Sequence, residues 1–143
     1  MKVQEIMTLR PLSVGPEEPV TAAARLLQRS GLGAVPVCDA AGRLRGMVTD
    51  RDLVVRCMAR GTDPASLRIS EIMSRGIVSV TPDDAVAEAA ERMARRQVRR
   101  LPVTESGRLV GMVTLCDLAR RPDCRSECAR ALERISAGVS RPD

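Results

Sequence analysis

The chain has 143 residues, about the size of one domain, and its 44% hydrophobic and 29% charged residues are the balance of a globular chain that folds in water. It contains no His, Phe, Tyr or Trp, so it lacks the commonest general base, the commonest metal ligand and the aromatic platforms on which single-stranded nucleic acid stacks. A formal charge of +5 suits an anionic ligand or partner without identifying one.

No apolar run approaches the roughly 20 residues that span a bilayer. Met1 to Arg10 lacks the basic stretch and apolar core of a secretion signal. A cytoplasmic protein with no membrane attachment is therefore expected. The five Cys, at 38, 57, 116, 124 and 128, form no CxxC pair, and in that compartment they are expected to be free thiols.

A duplication organises the sequence. Glu5-Ile6-Met7-Thr8 recurs 66 residues later as Glu71-Ile72-Met73-Ser74, and Ser13-Val14-Gly15-Pro16 as Ser79-Val80-Thr81-Pro82. Val35-Pro36-Val37 returns as Leu101-Pro102-Val103 at the same offset. After a one-residue deletion the offset is 65, and Gly46-Met47-Val48-Thr49 with Asp52-Leu53 matches Gly111-Met112-Val113-Thr114 with Asp117-Leu118. A repeat of this kind fixes architecture more firmly than local propensity does.

In chain order, each copy opens with a short apolar stretch (Leu12 to Val14; Ile77 to Val80). It passes through Pro and acidic residues into an Ala-rich helix, Val20 to Arg29 and Val86 to Arg96. Val20, Ala23, Ala24 and Leu27, and Val86, Ala89, Ala90 and Met93, recur at helical spacing. Two β-type runs follow, Ala34 to Cys38 with Leu44 to Thr49 and Arg100 to Thr104 with Leu109 to Thr114, joined by hairpin-like turns. A second helix is expected from Asp50 to about Arg60 and from Leu115 to about Arg121. The predicted fold is α+β, two tandem β-α-β-β-α repeats packed sheet to sheet with pseudo-twofold symmetry, because each copy alone leaves an apolar sheet face uncovered. The boundaries are 1–60 for the first repeat, 61–68 for a Gly/Asp/Pro linker, 69–121 for the second repeat and 122–143 for a C-terminal helix and tail. Within Asp123 to Ile135, Cys124, Cys128, Ala131, Leu132 and Ile135 form one stripe that would dock on the module or on a second subunit.

Thr49 and Thr114 each close a strand and open a helix. Free N–H groups and the helix dipole favour a phosphate at such a place, yet Ser/Thr followed three residues on by an acid is also a capping box. Both readings stand for Thr49 with Asp52 and for Thr114 with Asp117. Cys116 lies beside the second of these positions, where a thiol is either a redox-sensitive group or merely a small residue. Cys124 and Cys128 are four apart, but with no His and no flanking Cys pair no metal site is expected with Cys116.

The order Ile-Met, Ser-Val-x-Pro, x-Pro-Val and Gly-Met-Val-Thr-x-x-Asp-Leu, twice over residues 3 to about 121, resembles the cystathionine β-synthase-type (CBS) repeat, and the pair resembles a Bateman module. The resemblance implies a disc with two clefts for adenosyl ligands such as AMP, ADP, ATP or S-adenosylmethionine, and two discs that dimerise. It implies that Asp52 and Asp117 accept the ribose hydroxyls and that Pro36 and Pro102 border the adenine. Leu12, Val35 and Val48 in the first cleft, and Val78, Leu101 and Val113 in the second, are candidate adenine walls, or plain core. In repeats that bind nucleotide phosphates a basic residue often lies two positions before the Pro, which here means Arg100, preceded by Arg99; with Arg92, Arg95 and Arg96 the two also read as a solvated charged face. The first repeat has Ala34 and Gly33 there, with Arg51 as partial compensation, so the second cleft is expected to be the principal site.

The function expected is a non-catalytic sensor that passes the ligand's presence to an unidentified downstream protein. The alternatives are a ligand-free dimerisation or interaction module, or a nucleic-acid binder using the basic run from Arg92 to Arg100, against which the missing aromatics count. No nucleophile and base pair, metal cluster or Gly-rich phosphate loop suggests an enzyme.

Overall fold

A computed structural model of the chain describes residues 1–138. In chain order its regular elements are β1 (Thr8–Leu9), α1 (Val20–Ser30), β2 (Ala34–Cys38), β3 (Leu44–Thr49), α2 (Asp50–Arg56), α3 (Val86–Arg96), β4 (Arg100–Glu105), β5 (Arg108–Thr114), α4 (Leu115–Ala119) and α5 (Arg125–Ala137). Single 3-10 turns lie at Val3–Glu5, Met58–Arg60, Ile69–Glu71 and Pro122–Cys124. The fold is α+β, with two tandem repeats followed by a C-terminal helix. The end of the expected tail, 139–143, lies outside the described residues.

The chain forms two compact units. One holds Pro11–Ile77 with Gly107–Leu109; the other holds Met1–Arg10, Val78–Ser106 and the chain from Val110 onward. Each unit therefore combines a repeat with the Ile-Met segment that precedes the other repeat in sequence, a grouping that the repeat boundaries alone do not suggest. Hydrophobicity and backbone pairing explain it. Ile69 and Ile72 are buried with Val14, Val20, Ala23, Val35, Val37 and Val48, while Val3 is buried with Val80, Val86, Met93, Leu101 and Val113.

In the first-repeat unit, α1 starts after Pro19, which offers no side-chain cap. The orphan N–H of Val20 instead donates to Leu67 O at 2.8 Å, and Ile69 N–H donates to Glu18 O at 2.9 Å. Val20, Ala23 and Leu26 form the buried face of α1; Ala24 and Leu27 are half-buried, so the face turns slightly from the expected one. Gly31, at φ 68°, closes the helix in the left-handed conformation that glycine adopts without strain. β2 and β3 form an antiparallel pair with Val35 opposite Val48 and Pro36 opposite Met47. The apolar stretch ending at Val14 adds only a parallel bridge to Val37, where a first strand was expected.

The second-repeat unit repeats these contacts. Val86 N–H donates to Met1 O and Val3 N–H to Asp84 O, both at 2.9 Å. α3 buries Val86, Ala89, Ala90, Met93 and Ala94. Val80 makes the parallel bridge to Val103, and β1, which the sequence did not announce, joins β5 with Thr8 opposite Met112 and Leu9 opposite Gly111.

Both second helices are shorter than expected. α2 ends at Arg56 and the chain tightens into the 3-10 turn Met58–Arg60 before Gly61 reverses it. α4 ends at Ala119, because Arg121 precedes Pro122 and is held extended at φ −106°, ψ 116°. α5 packs against α3 and α4 in the same unit, burying Ala131 and Ile135 and half-burying Cys128. Leu132, placed on the same stripe from sequence, is instead exposed.

Candidate functional site

Asp52 and Asp117 are the two buried charged side chains among the described residues, at 9% and 7% exposure. Burying a carboxylate is costly unless it is hydrogen-bonded, so their partners decide what they can do. Each lies one turn into a short helix behind a capping Thr. Thr49 Oγ1 accepts from Asp52 N–H at 3.0 Å, and Thr49 N–H donates to Asp52 Oδ2 at 2.9 Å. Thr114 Oγ1 accepts from Asp117 N–H at 3.2 Å, while Thr114 N–H and Oγ1–H donate to Asp117 Oδ2 at 2.8 and 3.0 Å. The capping box is thus formed in both repeats.

The capping leaves little room for the anion reading of these helix starts. In α2 the Asp50 N–H donates to Gly33 O, the Arg51 N–H to Asp50 Oδ1 and the Asp52 N–H to Thr49 Oγ1. In α4 the Leu115 N–H donates to Arg99 O and the Asp117 N–H to Thr114 Oγ1. Helices of seven and five residues also carry little dipole.

Two arginines not singled out in the sequence complete the site. Arg120 Nη2 donates to Asp117 Oδ1 at 2.5 Å. Arg56 Nε lies 3.7 Å from Asp52 Oδ1, too far for a hydrogen bond, because its Nη1 is held by Ile72 O at 3.0 Å and Met73 O at 3.4 Å. The i,i+3 and i,i+4 spacings from each Asp were the available signal.

The remaining candidates divide between surface and core. Arg99 is exposed and Arg100 half-buried, and neither side chain is paired among the described residues. The Arg99 carbonyl, holding Leu115 N–H at 3.0 Å, brings the start of β4 to the start of α4. Arg51 is exposed on α2. Val35, Val48, Leu101 and Val113 are fully buried in the two cores, whereas Leu12 is exposed and Val78 half-buried. Pro36 and Pro102 are buried within β2 and β4, their carbonyls taking the N–H groups of Val14 and Val80 at 3.1 Å.

The five cysteines are free. Cys116 is exposed; Cys124 is buried with its Sγ 3.6 Å from Met1 Sδ; Cys128 Sγ donates to Leu115 O at 3.4 Å. Burial pushes the Cys128 thiol pKa up, and nearby Cys116 adds to this. Among the described residues no three His, Cys, Asp or Glu groups gather to hold a metal ion, and no helix is long and apolar enough to cross a membrane.

The structure thus defines a protein of two tandem repeats, in each of which a strand ends on a capping Thr and the short helix after it carries a buried aspartate. Residues 3–58 and 69–123 each match the CBS domain, and the chain belongs to that family. It is 38% identical over 134 residues to the CBS domain-containing protein YhcV of Bacillus subtilis, covering 94% of each chain. It is 39% identical over 117 residues to Hypoxic response protein 1 of Mycobacterium tuberculosis, covering 82% of each. The crystal structure of Hypoxic Response Protein I with two coordinated zinc ions matches with a TM-score of 0.79 at 38% identity, over 85% of this chain and 98% of that one. The CBS domain pair of MJ0100 in complex with 5′-methylthioadenosine and S-adenosylmethionine matches at 0.75 and 26%, over 84% and 98%. CBSX2 in complex with AMP matches at 0.69 and 26%, over 94% and 98%.

Proposed function

We propose that this chain is a non-catalytic regulatory module that binds adenosyl ligands through Asp52 and Asp117 and transmits occupancy to a partner protein. The observation that carries the reading is the pair of buried carboxylates at matching places in the two repeats. A buried, acceptor-only group suits the paired hydroxyls of a ribose. The adenosyl compounds held by MJ0100 and CBSX2 support the same ligand class. Arg99 and Arg100 supply unpaired guanidinium groups for a phosphate beside the second aspartate. Val78 is the accessible apolar candidate for the adenine in that repeat, and Leu12 in the first.

A thermal-shift screen of AMP, ADP, ATP, S-adenosylmethionine and NAD tests this. A ligand present at about 100 times its Kd stabilises the native state by roughly 2.7 kcal/mol, a rise of several degrees in Tm. The reading fails if no adenosyl compound raises Tm, or if the Asp52→Ala/Asp117→Ala double variant shows the same rise as the wild type.

One observation favours a second reading, a module that pairs with another copy or another protein without ligand. Val54, Val55 and Met58 on and after α2 are exposed. Three such side chains within five residues would give such a module its apolar contact face. Light scattering across a concentration series, with Val54→Glu as the control, distinguishes it. The nucleic-acid alternative is weaker, because Arg92 is paired with Glu88 and Asp84, and Arg95 with Glu91.

A further inference from the structure

The acceptor capacity of the two aspartates differs. Asp117 Oδ2 takes two hydrogen bonds from Thr114 and Oδ1 takes one from Arg120. Of the four lone-pair sites of a carboxylate, one is left. Asp52 takes a single bond from Thr49 N–H, and Arg56 is diverted to the carbonyls of Ile72 and Met73, so both oxygens keep an open site. The repeat offset explains the contrast. At the position of Arg120 the first repeat has Val55, which cannot reach a carboxylate with a donor.

A ribose needs two acceptors for its hydroxyls. At Asp52 they are present. At Asp117 a ribose has to displace Arg120, whose side chain is 71% exposed, so that water can solvate the released guanidinium while the ribose hydroxyls take its place on the buried carboxylate. The displaced guanidinium then stands beside the sugar without a partner. A phosphate on the ligand restores a charge-assisted bond; a neutral thioether leaves the cation unpaired, and a sulfonium repels it. Arg99 and Arg100 in the same unit add to that bias; the first repeat has Gly33 and Ala34 at those positions, its Arg56 is engaged by the carbonyls of Ile72 and Met73, and exposed Arg51 is its compensating cation.

Resting on the ribose-binding reading above, we infer that the two repeats take different classes of adenosyl ligand, with Arg120 as the selector. The Asp117 site takes phosphate-bearing adenosyl compounds, and the Asp52 site also takes those whose 5′ substituent is neutral or cationic. The chain then distinguishes phosphate-bearing compounds, which both repeats take, from neutral or cationic ones, which only the first repeat takes.

Calorimetric titration with AMP and with 5′-methylthioadenosine tests this on two single-site backgrounds, Asp52→Asn and Asp117→Asn, with the apo Tm of each variant recorded. On Asp52→Asn, AMP is expected to bind about tenfold or more tighter than methylthioadenosine, the size of one charge-assisted hydrogen bond. Adding Arg120→Ala should collapse that ratio by strengthening methylthioadenosine and weakening AMP. On Asp117→Asn, adding Val55→Arg should create a preference for AMP. A ratio unmoved by both Arg120→Ala and Val55→Arg overturns Arg120 as selector while leaving the binding site in place. Absence of binding by either compound to the wild type overturns the site itself, and this inference with it.

Discussion

Arg134 of α5 donates through Nη1 to Glu91 Oε2 of α3 at 2.5 Å, which ties the C-terminal helix to α3 at the exposed edge of their shared unit. Gln97 adds a second tie there. In the left-handed conformation at the end of α3, its Nε2 donates to Arg134 O at 3.1 Å. Below these polar contacts Ala131 and Ile135 are buried, so α5 is held by an apolar seam with an ionic edge.

The ionic edge predicts a pH dependence. The hydrogen bond from Arg134, then its charge and that of Arg95, hold the Glu91 carboxyl below its usual pKa. A carboxylate with a depressed folded-state pKa contributes stability that is present above its unfolded pKa and is lost as pH falls through the folded one. Arg134→Ala should therefore lower Tm at neutral pH and low salt. The difference from wild type should vanish as pH drops below the ordinary carboxylate range, and shrink with added salt. A difference that is constant across that pH series would mean that Arg134 acts through packing alone.

The close approach of the Ile-Met segments makes a second prediction. A Cβ on Gly46 would lie 2.5 Å from Ser74 O and 2.9 Å from Met73 Sδ. One on Gly111 would lie 2.8 Å from Met7 Sδ and 2.9 Å from Thr8 O. In both places the nearest obstacles include backbone, which cannot step aside as a side chain can. Gly46→Ala and Gly111→Ala should each cost about 1–3 kcal/mol in denaturant unfolding, the range for forcing an extra carbon into a packed interior. Gly42→Ala is a poor control because its φ of 80° adds strain of its own; Ala41→Ser on the same exposed turn is a better one. If the two glycine variants unfold with the control, the segments are not held this closely.

These glycines show which parts of the molecule were legible in the sequence. Helices at Val20 and Val86 and the hairpin strands follow from period and turn residues, which are local signals, and the repeat doubled each of them. The exchange of Ile-Met segments left no local trace. Val3 and Ile69 read as apolar residues near the start of a repeat, and only the backbone bonds to Asp84 and Glu18 show which core each fills. At the candidate site, Asp52 and Asp117 were legible from motif and resemblance. What Arg120 and Arg56 do was not, because their spacing permits an ion pair in both repeats and does not say whether the guanidinium also hydrogen-bonds its Asp. The competing carbonyls of Ile72 and Met73, 16 and 17 residues from Arg56, decide it in one.

The thiols give the last prediction. Alkylation requires both access and the thiolate. Cys116 is exposed, Cys57 and Cys124 are buried, and Cys38 and Cys128 are half-buried with pKa values raised chiefly by that burial. Iodoacetamide at neutral pH should add first to Cys116, with the peptides carrying Cys57 and Cys124 unmodified until the protein is denatured. Raising the pH into the range where a raised thiol ionises should then bring in Cys38 and Cys128. Because Cys116 lies between Thr114 and Asp117, the alkylated protein also tests the site. If an adenosyl ligand binds at Asp117, its presence should slow modification of Cys116 and leave the later-reacting Cys38 at its own rate. Equal rates for Cys116 with and without saturating AMP would separate this thiol from the ligand.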